Sequence, residues 1–435
     1  MTKQKTARIL LINPPVYDLR LDWARWHQPC GLLQVGRLLR LRGTDVRLID
    51  CLQPERNKLE RKKLDTVTVD EQNLIRWHFG CSWELIEKQI GLIKDENWKP
   101  DAIYVTTMMT FWWESTRDLI HRIRKEWFPR IPIVLGGVYP TLCPGHAKKH
   151  IRCADFDLEI ADKARIHATD LTLYNQMPYF SGLFLSRRVP PERIVGEIVT
   201  KAKLGVREFA FFDNEIGLNH QTRFEKVLDQ VIEKELDVKF RALGNISPKV
   251  LSGSLVRKMK AAGYRQIFLR DDIALRSNSN GDLSSYERGI ELMLKYGGFK
   301  PRTEDLTAMV VVGVPGENLN HVVERLTKLA HIVGSVNLVP YQPTPGTEIF
   351  EMHKSQLPAE LERQNGKLFP FAKVNGATFS DYQQLMRLAA LLNSKYHSTT
   401  FDFLGNDEIA QMVRKSVAEE RWQPRIKETI PLSPR

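Results

Sequence analysis

The stretch Ile9-Leu10-Leu11-Ile12-Asn13-Pro14-Pro15 decides how the rest of the chain is read. Four successive apolar residues stopped by two prolines make a short strand buried on both faces. Residues 31–41 then place Leu32, Leu33, Val35, Leu38, Leu39 and Leu41 at helical spacing, and Gly43 closes the segment. The alternation continues with strands over 46–49, 102–106 and 131–135 and a helix over 116–127. This pattern predicts an α/β fold with a parallel, doubly wound sheet of the flavodoxin or Rossmann type over residues 1–165. Ligands of such sheets sit beyond the carboxyl ends of the strands. Those ends read Asn13-Pro14-Pro15, Asp50, Thr106-Thr107-Met108 and Gly136-Gly137.

Residues 53–100 interrupt the pattern. They are charged, carry Trp77, His78, Trp83 and Trp98, and read as an insertion with one helix over 83–94. The basic run 56–63 within it reads as a solvated helix face or loop.

A second alternation follows. Strands are expected over 183–186, 208–213, 239–243, 266–270, 306–312 and 336–340, with helices near 191–204, 220–235, 249–262, 283–296 and 318–333. Six β/α units with right-handed crossovers suggest a partial (β/α)6 TIM-like barrel over 166–350. Residues 351–435 read as a helical region, with a helix from Ser380 through Lys395 and a mobile tail ending in Pro431, Pro434 and Arg435.

Composition removes several classes. The chain has 435 residues, room for about three domains, with 42% hydrophobic and 27% charged residues. It is too apolar for wholesale disorder. It has no run of about 18 apolar residues, so no membrane span is expected. Nothing at Met1–Arg8 resembles a signal peptide, and the expected location is cytoplasmic. The five cysteines, Cys30, Cys51, Cys81, Cys143 and Cys153, are odd in number and at least ten residues apart. That argues against a disulfide framework and excludes a local CxxC or CxxxCxxC nest. No HExxH, P-loop or GxSxG occurs, and no nucleophile–base pair is legible. A formal net charge of +12 permits nucleic acid, an anionic membrane surface or phosphate-bearing ligands without choosing among them.

Several segments together resemble one family. ILLINPP (9–15), HQPCGLLQVGRLLRLRGTDVRLIDC (27–51), PDAIYVTTMMTFWWES (100–115) and IPIVLGGVYPTLCPGHA (131–147) resemble the cobalamin-binding half of cobalamin-dependent radical S-adenosylmethionine (radical SAM) proteins. PPERIVGEIV (190–199), REFAFFDNEIGLN (207–219), MKAAGYRQIFL (259–269), VVVGVPGEN (310–318) and VPYQPTPGTEIFE (339–351) are similar to the radical half. Each motif alone is weak; their order and spacing agree over roughly 8–350.

The departure from that family is equally informative. Its members carry CxxxCxxC after the first barrel strand, where three thiolates hold a [4Fe-4S] cluster whose open iron binds S-adenosylmethionine. Here the expected strand runs straight into Arg187-Arg188-Val189-Pro190-Pro191, and no cysteine follows Cys153. A [4Fe-4S] cluster is therefore not expected, nor is radical initiation through one.

The resemblance implies cobalamin held near Asn13, Pro14, Thr106, Thr107, Met108, Trp112, Gly136, Gly137, Tyr139 and Thr141. Gly136-Gly137 lets backbone approach a corrin edge, the threonines offer hydroxyls, and Phe111, Trp112 and Trp113 offer large apolar faces. The alternative reading of these residues is core and turn packing. DxHxxG is absent, and His27 and His146 read as surface or hydrogen-bonded histidines rather than cobalt ligands. S-adenosylmethionine would meet Asp213 and the turn Gly313, Pro315 and Gly316, with Glu215, Asp271, Asp272, Arg187, Arg188 and Arg270 as further charges at the strand ends. The alternative there is mutual neutralisation.

Three functions follow. The leading one is a cluster-less cobalamin-binding protein, non-radical or the non-catalytic partner of an active radical SAM paralogue. The second is a polar methyltransferase using cobalamin and S-adenosylmethionine. The third is an RNA- or protein-binding scaffold on a decayed enzyme fold. Whether the chain is an enzyme stays open at this stage.

Overall fold

The computed structural model describes residues 6–19, 28–53, 59–152, 154–157, 159–185, 189–213, 215–216, 220–270, 284–300, 303 and 305–396. His27, Cys153, Arg187, Arg188, Asp271, Asp272 and the tail 397–435 lie outside these. The chain divides into two compact units. The first comprises Met1–Asp213, Thr222–Lys239 and Pro343–Asn365, and the second Asn214–Gln221, Phe240–Gln342 and Gly366–Arg435.

The first unit opens with β1 (Arg8–Asn13), β2 (Val16–Asp18), α1 (Cys30–Leu41), β3 (Asp45–Asp50), β4 (Arg61–Val69), β5 (Gln72–Phe79) and α2 (Trp83–Asp95). It continues with β6 (Ala102–Thr107), α3 (Trp113–Arg122), β7 (Ile133–Gly137), α4 (Val138–Leu142), α5 (Pro144–His150), β8 (Asp155–Phe156) and α6 (Glu159–Ala164). A π-helical turn, Ile123–Trp127, extends α3. The strands β3-β1-β6-β7-β8 form one sheet in which every pair is parallel. Numbered by appearance, the order is 2-1-3-4-5, and the winding reverses between β1 and β6, where open α/β sheets keep their ligand crevice.

Alternation along β1 explains why both sheet faces are covered. Leu10 and Ile12 join a buried cluster with Ile103, Val105, Ile133 and Leu135, packed under Ile86 and Ile90 of α2 and Leu119 and Ile120 of α3. Ile9 and Leu11 face the opposite cluster, with Leu32, Val35 and Leu39 of α1. Each such side chain contributes roughly 1.5–3 kcal/mol on burial.

The insertion holds more than its expected helix. β4 and β5 form an antiparallel hairpin, and β2 pairs with β5 to complete a three-stranded sheet. Arg61–Lys63, read from sequence as helix face or loop, begin β4 instead. The hairpin turn is Asp70-Glu71, with φ of 44° and 64°, flanked by the Val69–Gln72 pair. Two consecutive positive φ values mark a type I′ turn.

The first unit also holds β9 (Phe180–Leu183), α7 (Pro191–Lys203), β10 (Glu208–Phe211) and α8 (Gln221–Glu233), with β9 and β10 parallel. β9 begins three residues earlier than the sequence suggested, because Leu185 sits in irregular backbone whose N–H bonds the Asp213 side chain. The second unit contains β11 (Lys239–Ile246), α9 (Gly253–Ala261), β12 (Tyr264–Leu269), α10 (Ser284–Gly297), β13 (Leu306–Val312), α11 (Leu319–Val333) and β14 (Val336–Pro340). β11, β12, β13 and β14 pair in that order, all parallel. α12 (Glu348–His353) returns to the first unit and α13 (Phe379–Tyr396) ends the second. Among the described residues no helix is long and apolar enough to cross a membrane.

Candidate functional site

At the carboxyl end of the main sheet, adjacent strands are tied by polar side chains. The Asn13 amide donates to Asp50 Oδ1 at 2.6 Å, the Leu52 N–H donates to the same oxygen at 3.1 Å, and the Tyr174 hydroxyl donates to Oδ2 at 2.8 Å. Asn13 and Asp50 are buried, as is Pro14. Burial, then the Asp50 carboxylate, pushes the Tyr174 hydroxyl well above its ordinary pKa and keeps it a donor.

A second buried carboxylate closes the same rim. Asp18, 1% exposed, accepts from the Trp112 indole N–H at 3.0 Å, the Leu19 N–H at 2.7 Å and the Asn365 amide at 2.9 Å. Phe111 and Trp112 pack with Val16, Leu52 and Phe79, while Trp113 is buried and donates to Glu362 at 3.0 Å. The tryptophan rings are thus spent on packing and on fixing carboxylates. Asp18, Tyr174, Glu362 and Asn365 were not singled out from sequence, because their partners are distant in the chain; Asp18 and Asn365 stand 347 positions apart.

The ends of β6 and β7 are more open. Gly137 has φ of +97°, and a Cβ there would lie 2.4 Å from the Thr107 carbonyl oxygen, so only glycine fits. A Cβ on Gly136 would meet nothing within 4 Å. The Thr107 hydroxyl is spent on that of Thr116 at 2.7 Å, both buried. Thr106 is half-buried, as are Met108 and Met109, while Val138 and Thr141 are exposed. The Thr141 hydroxyl donates to the Gly137 carbonyl at 2.7 Å. Thr106, Met108, Met109, Gly136, Val138 and Thr141 together make an accessible strip of hydroxyls, thioethers and bare backbone.

Tyr139 is fully buried, and its hydroxyl meets His146 Nδ1 at 2.8 Å. His146 stacks on His150 at 4.1 Å, and both rings stand edge-on to Trp113. Burial, then the neighbouring His150, lowers the His146 pKa to about 4, leaving it neutral at ordinary pH. Cys30, Cys51 and Cys81 are buried and outside any disulfide, and Cys143 is half-buried. Among the described residues no three His, Cys, Asp or Glu side chains are grouped to hold a metal ion.

In the second unit, the Gly313-Val314-Pro315-Gly316 turn follows β13. Its donors are taken by its own unit. Gly313 N–H bonds Glu317 Oε1, Gly316 N–H bonds Asn375 Oδ1 at 2.7 Å, and Asn375 Nδ2 donates to the Val314 carbonyl at 2.9 Å. Tyr382 donates to Glu317 at 2.8 Å and stacks on Phe369 at 4.2 Å and 7°. The Phe369 ring lies 3.0 Å from where a Gly313 Cβ would be. Asp213, in the first unit, is 7% exposed, and its Oδ2 accepts the Leu185 N–H at 2.6 Å.

No protein-family model matches this chain, and no curated protein matches it. Among solved structures it is similar to the catalytic domain of starch synthase IV from Arabidopsis thaliana bound to ADP and acarbose. The identity is 11% and the TM-score 0.22, over 90% of this chain and 100% of that one. At that score the likeness carries no argument.

Proposed function

We propose that this chain binds cobalamin at the carboxyl rim of its main sheet, as a cluster-less relative of cobalamin-dependent radical SAM proteins. It acts without radical chemistry, as a cobalamin-binding protein or as the partner of a catalytic paralogue. The observation that supports this reading is the 2-1-3-4-5 parallel order, with the uncrowded Gly136 at the carboxyl end of β7, one strand beyond the reversal point.

The residues fit the group. Gly136 leaves room where any larger side chain would stand, so its peptide groups can meet the amides of a corrin edge. Thr106 supplies a hydroxyl, and Met108 and Met109 an adaptable apolar bed. His146 Nδ1 meets the Tyr139 hydroxyl, which fixes the ring beside the rim. When bound, cobalamin supplies cobalt chemistry such as methyl-group transfer. The protein's part is to hold the corrin edge and, through the Asp18–Trp112 and Asp50–Asn13 bonds, to keep the rim rigid.

On the same resemblance, the β/α succession over 166–350 is read as a partial (β/α)6 barrel. Polar methyl transfer from S-adenosylmethionine ranks lower, because the Gly313–Gly316 turn has its backbone donors occupied by Glu317 and Asn375.

Purified chain mixed with hydroxocobalamin and passed through a sizing column should carry the corrin's visible absorption in the protein peak. Loss of that colour to the small-molecule fractions rejects the reading.

A further inference from the structure

A second concave surface in the first unit carries a different chemistry. His121, Arg124, Lys125, Lys149, His150 and Arg152 line an open basin of about 570 Å³, formed by the far end of α3, its π-helical extension and the end of α5. Four of the six are cations and none is acidic.

The nearby carboxylates are already engaged. Glu126 bonds Arg122 at 3.2 Å, and Asp118 bonds Arg117 at 2.8 Å and the Tyr17 hydroxyl at 3.0 Å. Lys125 and Lys149 carry no carboxylate partner among the described residues. The arginines are held in place. Arg124 Nη1 donates to the carbonyls of Pro129 and Ile131, each at 3.0 Å, and Arg152 Nε donates to the Lys149 carbonyl at 3.2 Å. His150 is braced by its stack on His146. Like charges gathered in one concavity repel one another, and an anion there relieves the repulsion. Four cations lining one basin with no acidic residue among them suit a multiply charged tetrahedral oxyanion better than a single carboxylate.

We infer that this basin is a binding site for phosphate groups, separate from the cobalamin rim and independent of whether that rim is used. The phosphate has two candidate sources, a small polyphosphate or the backbone of a nucleic acid, and the test separates them.

The full-length chain is titrated by calorimetry with inorganic tripolyphosphate and, separately, by fluorescence anisotropy with a 20-nucleotide single-stranded RNA, at 50 and 200 mM salt. Binding of at least one probe is expected, weakening with salt. The Lys125→Glu/Lys149→Glu double variant should bind at least tenfold more weakly, with an unchanged melting temperature. A Lys62→Glu/Lys63→Glu control on exposed β4 should bind as the parent does. Tripolyphosphate binding alone assigns a small-molecule site, and RNA binding a nucleic-acid one. Failure of both probes to bind, or equal weakening by the two double variants, overturns the inference. If the basin variant unfolds, the milder Lys149→Gln must show at least threefold weakening, and unchanged binding then counts against the site.

Discussion

Asn13 and Asp50 are joined at 2.6 Å across the ends of two neighbouring parallel strands, and the Tyr174 hydroxyl meets the other carboxylate oxygen at 2.8 Å. A carboxylate this buried is tolerated only when its oxygens are bonded. Tyr174→Phe removes one charge-assisted donor and should cost about 2 kcal/mol. Urea unfolding should show a lower midpoint with an unchanged slope, the mark of lost stability rather than altered compactness.

Adjacent glycines should respond oppositely to the same change. Gly137→Ala forces a Cβ into the Thr107 backbone at a φ that alanine avoids, and should destabilise by at least about 2 kcal/mol. Gly136→Ala meets open space and should stay within about 0.5 kcal/mol of the parent. Thermal melts of the two variants separate them. A similar loss in both would mean that Gly136 is packed after all.

His146 makes stability depend on pH. Its pKa falls from 6.5 to about 4 on folding, because burial and then His150 disfavour the charged ring, with Glu362 opposing. Between those values the unfolded chain binds the proton and the folded chain does not. The contribution is complete above about pH 6.5 and is lost as the pH falls towards 4. His146 is partly solvated, so the loss is on the order of 1 kcal/mol. Urea midpoints at pH 7.5 and 4.5 should differ less for His146→Gln than for the parent.

Long apolar strands were legible because each buries both faces, so β1, β3 and β6 stand where Ile9, Val46 and Ala102 suggested, while β7 starts at Ile133, two residues after the expected Ile131. The β4–β5 hairpin was not. Its first strand is largely exposed and charged, and its turn is Asp70-Glu71 instead of the glycine-containing pairs that announce a type I′ turn. Two-residue β8 is too short to show periodicity. At the rim, Gly136-Gly137 and the threonines were legible from their place at strand ends. The burial of Trp112 under Asp18 was not, since adjacent tryptophans read alike as core or as ligand wall.

The turn itself offers a check. Glu71 holds a φ of 64°, which costs a side-chain-bearing residue roughly 1 kcal/mol or more. Glu71→Gly should raise the melting temperature by a few degrees, and a lower value would contradict the assigned turn.

Equilibrium dialysis of hydroxocobalamin against the parent and Gly136→Phe tests the proposed cobalamin binding at the Gly136 rim. The parent should retain the corrin at micromolar concentration, and the phenylalanine, filling the space above Gly136, should weaken retention at least tenfold while the chain stays folded by circular dichroism. Equal corrin on both sides of the membrane for the parent, or undiminished retention by the variant, would contradict the account.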